Sequence, residues 1–243
     1  MKAIVLAAGK GTRMDSDLPK VLHPLCGRPL ISHVIDNIRS AGINDITVVI
    51  GYQGEKVINI LSNTVSYAWQ KEQLGTGHAV LQAEEYFTGY TGDLIIACGD
   101  VPLIKSTTFS TMISKLNGGI KGAVLTMIPE SPKGYGRIVH SDADMVDRIV
   151  EEKDATDDER FIKEVNSGTY AFNSPLLFEA LKRIGNSNAQ NEYYLPDVVK
   201  YINLKGYAVV SSLLDDPIEG SGVNTIAELK KLEEYVLRTE VKI

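Results

Sequence analysis

The sequence predicts an α/β protein with a mostly parallel sheet, helices on both faces and a small antiparallel insertion. Short, continuously apolar segments such as KAIVLA (Lys2–Ala7) and ITVVI (Ile46–Ile50) are typical of parallel strands that are buried on both faces. Segments with helical spacing of their apolar residues alternate with these strands at short intervals, as crossover connections require. The insertion is predicted by two strand-like segments that flank the acidic turn SDAD.

In the first half of the chain, helices are predicted between successive strands. Gly42 follows the first of these helices, and glycine commonly occupies the position after a helix end. The predicted strands are Lys2–Ala7, Ile46–Ile50, Val65–Trp69, Leu94–Cys98 and Ala123–Ile128. The predicted helices are Pro29–Ala41, Glu55–Leu61, Ala79–Tyr86 and Ser106–Leu116.

The second half is less regular, and it carries no internal repeat of the kind that builds a β-helix. Its predicted strands are Gly136–Val139, Met145–Glu151, Ser167–Phe172 and Tyr207–Leu213. Its predicted helices are Pro175–Ile184, Leu195–Leu204 and Thr225–Arg238. We expect this half to close one side of a site on the parallel sheet.

Composition and charge narrow the function classes. The chain has 243 residues and a formal net charge of −6, so broad electrostatic binding to nucleic acid is not expected. Its two cysteines, Cys26 and Cys98, predict no disulfide framework and fit a reducing compartment. The N-terminal apolar run is too short for a signal peptide, and no stretch approaches the length of a membrane-spanning helix. We therefore expect a cytoplasmic protein that does not act on membranes.

A glycine-rich loop, LAAGKGTRM, follows the first predicted strand. It is not a P-loop, because Lys10 is followed by Gly11 instead of a hydroxyl residue. It is not a dinucleotide fingerprint either, because Met14 stands where the third glycine is needed. Two alternatives remain open for this loop, which are a phosphate-binding turn and a glycine-rich connection with solvated cations.

The ingredients of an anion site are nevertheless present in this loop. Gly9 and Gly11 allow close backbone approach and positive φ angles, and consecutive N–H groups can then form a concave anion site. Arg13 adds a cation that can hold phosphate oxygens in a bidentate manner. Lys20, later in the same loop region, is either a second phosphate-binding cation or a solvated charge.

A second candidate lies after the fourth predicted strand, because ligands of open α/β sheets bind outside the carboxyl ends of strands. There the segment Cys98-Gly99-Asp100 precedes a proline. Asp100 is either a ligand for Mg²⁺, which prefers hard oxygen atoms, or the cap of the next helix. Asn224, before the last predicted helix, presents the same choice between an oxygen ligand and a cap.

Further polar residues could recognise a base or a sugar. Gln70 and the Gly75–Thr76 backbone could bond a base edge, although Thr76 could equally cap the helix that follows. Glu151 and Asn166 could bind sugar hydroxyls or an amide, although asparagine at a strand start is often a turn residue. The histidines share no metal-ligand spacing and are expected to be structural or solvated; they are His23, His33, His78 and His140.

Taken together, the motifs resemble a known family. They are LAAGKGTRMDSDLPKVLHPLCGRPLISHVI, EQLGTGHAV, CGDVPLI, GYGRIV, IVEEKDAT, EVNSGTYAF, NEYYLPDVV and EGSGVNT, in this order. They closely resemble the uridylyltransferase domains of bacterial bifunctional N-acetylglucosamine-1-phosphate uridylyltransferases / glucosamine-1-phosphate acetyltransferases. The first motif marks sugar-phosphate nucleotidylyltransferases in general, and the pairing of LGTGHA with EVNSG and NEYY is more specific to this branch.

The resemblance implies a Rossmann-like nucleotide-diphospho-sugar transferase fold and the conversion of UTP and N-acetylglucosamine 1-phosphate into UDP-N-acetylglucosamine and pyrophosphate. It implies a cell-wall (peptidoglycan) precursor pathway and a Mg²⁺ cofactor held by Asp100 and Asn224. Arg13 and Lys20 are then the catalytic cations at the phosphates. The implied substrate-binding residues are Leu6, Ala7, Ala8, Gly9, Lys20, Gln70, Gly75, Thr76, Cys98, Gly99, Asp100, Gly136, Glu151, Asn166 and Asn224.

The resemblance also implies one domain over residues 1–243. Residues 1–130 would mainly bind the nucleotide, residues 131–225 would bind the sugar, and residues 225–243 would form a C-terminal helix. Two departures from the family pattern stand out. Cys98 occupies a position where the family commonly has tyrosine, and the sequence contains no acetyltransferase β-helix, so we expect a monomer.

Two alternative functions remain. The chain could use another sugar 1-phosphate, in which case Glu151 and Asn166 would face different hydroxyl groups. It could also be a non-catalytic module that binds UDP-sugars. The presence of Arg13, Lys20 and Asp100 favours catalysis over the second alternative.

Overall fold

The computed structural model describes residues 1–14, 16–142 and 144–240. These residues form a nine-stranded mixed sheet and a two-stranded ribbon. Ala143 of the predicted SDAD turn, Asp15 of the first loop and residues 241–243 of the predicted C-terminal segment lie outside the described residues. Within the described ranges, no helix is both long and apolar enough to cross a membrane.

The strands and helices follow one another along the chain largely as the sequence predicts. The strands are β1 (Lys2–Ala7), β2 (Pro24–Leu25), β3 (Arg28–Pro29), β4 (Asp45–Ile50), β5 (Ser66–Trp69), β6 (Asp93–Cys98), β7 (Ile120–Met127), β8 (Arg137–Asp142), β9 (Met145–Val150), β10 (Val165–Asn173) and β11 (Ala208–Leu213). The helices are α1 (Leu30–Ser40), α2 (Gly54–Leu61), α3 (Thr76–Leu81), α4 (Ser106–Ser114), α5 (Ser174–Leu181), α6 (Asp197–Leu204) and α7 (Ile226–Glu240).

The order of strands in the sheet is β5-β4-β1-β6-β10-β7-β11-β9-β8. Strands β5, β4, β1 and β6 are parallel neighbours, and β7 pairs in parallel with β11. Strand β10 separates these two groups because it pairs antiparallel with both β6 and β7. The predicted antiparallel insertion is the hairpin β8–β9 at the end of the sheet. The predicted fold class is therefore confirmed, with one antiparallel strand in the middle of the sheet.

Helices cover both faces of the sheet, as the alternation of side chains along β1 demonstrates. Ala3 and Val5 belong to a buried cluster that includes residues of α1, α2 and α4. Ile4, between them, belongs to a second cluster with residues of α3, α5 and α6. Because successive strand residues point to opposite faces, these two clusters are the two sides of the sheet.

One prediction about helix position is wrong. The helix predicted at Ala79–Tyr86 begins earlier, as α3 at Thr76, and a separate 3₁₀ turn covers Glu84–Phe87. The early start depends on Gly75, whose φ is +108° and whose added Cβ would lie 2.6 Å from the Tyr193 carbonyl oxygen. The spacing of apolar residues along the sequence carries no information about this tertiary contact.

The loop after β1 is held by a buried methionine. Met14 is 1% exposed and packs in a cluster with residues of β2, of the start of α1, and of α7 and the segment before it, which are Leu25, Leu30, Val223, Leu229 and Leu232. Gly11 has a φ of +61°, and its carbonyl accepts a hydrogen bond from the Met14 N–H at 3.0 Å. Methionine thus stands at the position of the third glycine because its buried side chain holds the loop against the C-terminal helix.

We predict that Met14→Ala lowers the free energy of unfolding by about 2–4 kcal/mol, because the truncation leaves a cavity in this cluster. Urea unfolding of the variant and the wild type measures the difference. Met145→Ala is the matched control, since Met145 is 38% exposed and its truncation should change the free energy by less than about 0.5 kcal/mol. Equal losses in the two variants would contradict the anchoring role of Met14.

Candidate active site

The carboxyl ends of β1 and β6 lie side by side and form one edge of the candidate site. Leu6 of β1 pairs with Cys98 of β6, and the Gly99 N–H donates to the Leu6 carbonyl at 2.9 Å. A Cβ at Gly99 would lie only 3.1 Å from that oxygen, so glycine allows the two segments to approach. Gly99 packs behind the cleft that opens at these strand ends.

This cleft has a volume of about 290 Å³ and collects most of the predicted nucleotide residues. From β1 and the loop after it, the cleft is lined by Leu6, Ala7, Ala8, Gly9 and Lys20. From the later segments it is lined by Gln70, Gly75, Thr76, Cys98 and Asp100. Apart from Gly9 and its two chain neighbours, no described residue has an atom within 4 Å of the position of a Cβ at Gly9, so the backbone is open to a ligand there. Of the two glycines expected to have positive φ, only Gly11 does.

A smaller cavity of about 200 Å³ contains Gly136, Glu151 and Asn166. Leu6, Thr76 and Cys98 line both cavities, so the nucleotide side and the predicted sugar side adjoin. We call the larger cavity the nucleotide cleft and the smaller one the sugar-side cavity.

Four polar residues from three distant segments converge at the nucleotide cleft. The Lys20 ammonium forms an ion pair with Asp100 Oδ2 and donates to Asn224 Oδ1 at 3.0 Å. Arg13 Nη2 donates to the same Asn224 oxygen at 2.9 Å. Lys20 is mostly buried and Arg13 is exposed. We call Arg13, Lys20, Asp100 and Asn224 the charge cluster.

The capping alternatives for Asp100 and Asn224 are wrong. Helix α4 begins at Ser106 without a side-chain cap, and the Asp100 carbonyl instead accepts from the Val223 N–H at 2.9 Å. The cap of α7 is Thr225, whose hydroxyl accepts from the Glu228 N–H at 3.2 Å. Glu228 Oε2 accepts in return from the N–H groups of residues 224 and 225, which completes a capping box.

The segment around Gln70 is fixed by contacts with distant residues. The buried Gln70 amide donates to the Gly75 carbonyl at 3.1 Å, and its nitrogen lies 3.1 Å from His78 Nδ1. The Thr76 hydroxyl accepts from the Leu195 N–H at 3.1 Å, so Thr76 ties α3 to the NEYYLPD segment. Thr76 is therefore not the side-chain cap of α3, and His78 is structural as expected.

Asn166 is held at a bulge inside β10, where the register shifts between Asn166 and Tyr170. Its Nδ2 donates to the Tyr170 hydroxyl at 2.6 Å, and its Oδ1 accepts from the Gly168 N–H at 2.9 Å. The Asn166 N–H donates to the Gly136 carbonyl at 2.9 Å. Asn166 is thus a fixed cavity residue, and it is also a turn residue near the start of β10, because its Oδ1 bond to the N–H two residues on is an Asx turn.

The comparisons with known proteins agree with this geometry. The family described as the MobA-like NTP transferase domain matches residues 3–169. The chain belongs to this family. A similarity to a solved structure, "The Crystal Structure of UDP-glucose pyrophosphorylase complexed with UDP-glucose", has a TM-score of 0.79 at 18% identity and covers 98% of each chain, which shows a shared fold.

Curated relatives of this NTP transferase are more similar in sequence. Proteins named bifunctional protein GlmU from Oceanobacillus iheyensis and Halalkalibacterium halodurans are each 47% identical to it, over 95% and 97% of this chain. A protein of the same name from Pelotomaculum thermopropionicum is 43% identical over 98% of this chain. The matches cover 51–52% of these relatives, so the chain spans about half the length of the curated relatives it matches.

Membership of the NTP transferase family suggests a divalent metal, and the charge cluster suits one. A carboxylate oxygen of Asp100 and an amide oxygen of Asn224 already share one cation, the Lys20 ammonium. Across the described residues, no group of three or more His, Cys, Asp or Glu side chains could hold a metal. The two oxygen ligands of Asp100 and Asn224 fit a hard divalent cation that completes its shell with water and substrate phosphates.

Cys98 is an inert thiol at the junction of the two cavities. Its Sγ donates to the Gly168 carbonyl at 3.4 Å. Burial, and then the nearby charge of Asp100, raise the pKa of Cys98 to about 12, so the group stays a neutral thiol. In this NTP transferase, Cys98 contributes packing and one weak hydrogen bond.

Sequence reasoning missed several side chains of the site, among them Glu192 and Tyr135. Glu192 lines the nucleotide cleft, and Tyr135 lines the sugar-side cavity. Both lie inside motifs that carry the family resemblance, NEYYLPDVV and GYGRIV. The signal was therefore present, but the side-chain direction of these residues depends on loops that periodicity does not describe.

Glu151 is the most strongly perturbed carboxyl group of the cavities. Burial first, and then the charges of Asp154, Asp197 and Glu192, together raise the pKa of Glu151 from 4.5 to about 7. The folded state therefore binds more protons than the unfolded chain between pH 4.5 and 7. The contribution of Glu151 to the free energy of unfolding therefore falls as the pH rises through that interval.

We predict that Glu151→Gln removes this loss. Relative to the wild type, the variant should gain about 3 kcal/mol of unfolding free energy between pH 4.5 and 8, because the difference in pKa converts to that amount. Urea unfolding at pH 5, 6, 7 and 8 measures the gain. Glu72→Gln, at an exposed carboxyl, is the control, and parallel pH profiles for wild type and Glu151→Gln would contradict the prediction.

Proposed function

We propose that the chain transfers the uridylyl group of UTP to N-acetylglucosamine 1-phosphate, giving UDP-N-acetylglucosamine and pyrophosphate. The observation that carries the proposal is the pair of adjoining cavities, which meet at Leu6, Thr76 and Cys98 beside the charge cluster. A transferase needs two substrates in contact, and a binding module needs only one site. The 43–47% identity to proteins named bifunctional GlmU supports the choice of substrates.

In this proposal the nucleotide cleft holds UTP. The open backbone at Gly9 receives phosphate oxygens, since N–H groups in such a turn attract anions. The backbone of residues 6–9 and the Gly75–Thr76 segment bind the uridine part, and Gln70 orders that segment through its bond to the Gly75 carbonyl. Residues 1–130 then form the nucleotide-binding half, and residues 131–225 the sugar-binding half.

The sugar-side cavity holds N-acetylglucosamine 1-phosphate. The Glu151 carboxyl accepts from sugar hydroxyls, and the Asn166 amide, with a second N–H beyond its bond to Tyr170, donates to the sugar. Glycine at position 136 leaves space beside Glu151, because a Cβ there would lie 3.2 Å from Glu151 Oε1. The product would serve as a precursor of peptidoglycan.

The reaction requires the protein to position two phosphate-bearing substrates and to neutralise their negative charges. The attacking atom is an oxygen of the sugar phosphate, which is anionic at neutral pH and needs no general base. Consistent with this, the described residues that line the two cavities include no histidine. The obstacle is the repulsion between this oxygen and the α-phosphoryl group, and Arg13 and Lys20 reduce it as the catalytic cations.

Asp100 and Asn224 would hold Mg²⁺ at the charge cluster. When bound, the ion neutralises phosphate charge near the reacting centre. Lys20 already neutralises Asp100 in the structure and is free to turn toward the phosphates when the carboxylate gains another cation. We further propose that the enzyme acts as a monomer on these small molecules, without nucleic acid or membrane.

Pyrophosphate release tests the substrates. With UTP and Mg²⁺, we expect release with N-acetylglucosamine 1-phosphate and not with glucose 1-phosphate or glucosamine 1-phosphate, run in parallel with a chelated control. Release with another sugar phosphate would retain the nucleotide cleft but overturn the assignment of Glu151 and Asn166. Tight UTP binding without release from any sugar phosphate would favour a UDP-sugar-binding module.

Asp100→Ala tests the metal position. We predict a loss of turnover of about 10²-fold or more, together with loss of the ordinary response to added Mg²⁺, because a ligand of the ion is removed. A Mg²⁺ titration of the reaction rate measures both effects. The matched control is Asp93→Ala, at the opposite end of the same strand β6. An unchanged Mg²⁺ response in Asp100→Ala would mean that Asp100 serves only as the partner of Lys20.

A further inference from the structure

A buried guanidinium lies behind the sugar-side cavity without lining it. Arg137 is 2% exposed and is among the largest fully buried side chains of the described residues. Burial of a charged group costs substantial hydration free energy unless ion pairs and hydrogen bonds replace the lost water. Arg137 directly follows Gly136 of the sugar-side cavity, so the buried charge suggests a role in the site in addition to packing.

Arg137 is paired with a carboxylate that also binds the preceding turn. Arg137 Nη2 lies 2.7 Å from Glu152 Oε2, and Nη1 donates to the Tyr135 carbonyl. The Gly134 N–H also bonds to the Glu152 carboxylate. The ion pair therefore closes the turn of residues 134–137 against the segment that follows β9.

Each partner of the pair adjoins a residue of the sugar-side cavity. Gly136 precedes Arg137 in the chain, and Glu151 precedes Glu152. Arg137 also stands where three strands meet, since β8 pairs there with β9 at Val150 and with β10 at Val165. Strand β10 continues directly into Asn166, whose N–H donates to the Gly136 carbonyl at 2.9 Å. A shift of the pair would thus move all three sugar-side groups relative to one another.

We propose that Arg137 and Glu152 are positioning residues for the sugar-phosphate half of the site. They touch no substrate and act by holding Gly136 and Glu151 at a fixed separation. The inference rests on the function proposed above. The nucleotide cleft is built on β1 and β6 and does not depend on this pair, so the two substrates should respond differently when the pair is broken.

The test is the separation of sugar and nucleotide affinities in Arg137→Met and Glu152→Gln. We expect the KM for N-acetylglucosamine 1-phosphate to rise at least 10-fold in each, and the KM for UTP to stay within 2-fold. Calorimetry gives a second readout that needs no turnover, since UDP-N-acetylglucosamine should bind at least 10-fold more weakly while UMP binds as in the wild type. Arg137→Lys should give an intermediate effect, because a single ammonium cannot replace the planar fork.

Two further variants separate positioning from general destabilisation. Arg148→Met breaks an ion pair with Glu159 on the same β8–β9 insertion, half exposed to solvent, and should leave both affinities unchanged. The double variant Arg137→Met/Glu152→Gln should bind the sugar better than Glu152→Gln alone, since it leaves no buried charge without a partner. Thermal unfolding of every variant reports whether the fold is retained.

The outcomes decide the matter. An unchanged sugar affinity in Arg137→Met or Arg137→Lys overturns the inference, and so does an equal loss of sugar and nucleotide affinity. If the wild type uses a different sugar 1-phosphate, the proposed substrate fails, and the same ratio of affinities measured with that sugar still decides the role of the pair.

Discussion

The ammonium of Lys20 is the contact on which the site depends. It joins the loop after β1, the end of β6 at Asp100 and the segment before α7 at Asn224. These segments are far apart in the sequence, and neither the carboxylate nor the amide oxygen has a local reason to face the cleft. A cation between them stabilises the arrangement before any substrate binds. The packing of Met14 and the bond from the Val223 N–H to the Asp100 carbonyl hold the same three segments together from behind.

Buried ionisable groups in the sugar-side half lower the stability of the folded protein. The burial of Glu151 beside other carboxylates raises its pKa to about 7, and Arg137 is only 2% exposed. Apolar side chains of similar size would avoid both costs. A carboxyl group with a strongly raised pKa inside a cavity, such as Glu151, is typical of functional sites. The nucleotide cleft also holds partly buried charges, but there Lys20 and Asp100 neutralise each other.

The sequence predicts what is local and fails where distant segments meet. Continuous apolar runs identified β1, β4 and β6, because buried parallel strands need them. The same pattern could not place β10, since periodicity identifies a strand and not its partners. Thr76 and Asp100 met the rules for helix caps, yet their true partners are Leu195 and Lys20, which no local rule can supply. The capping box of Thr225 and Glu228 could have been found, because its spacing is written in the sequence.

The central position of β10 explains how one sheet carries two adjoining cavities. A sheet of parallel strands alone would offer a single crevice at its carboxyl edge, beside β1 and β6. Strand β10 runs antiparallel next to β6, with Tyr170 opposite Ile96, so its bulge arrives at Cys98 from the opposite direction. That bulge carries Asn166, and the strand it belongs to also pairs with β8 at Arg137. The sugar-side cavity is thereby joined to the nucleotide cleft where β6 and β10 pair, and Cys98 at the end of β6 lines both cavities.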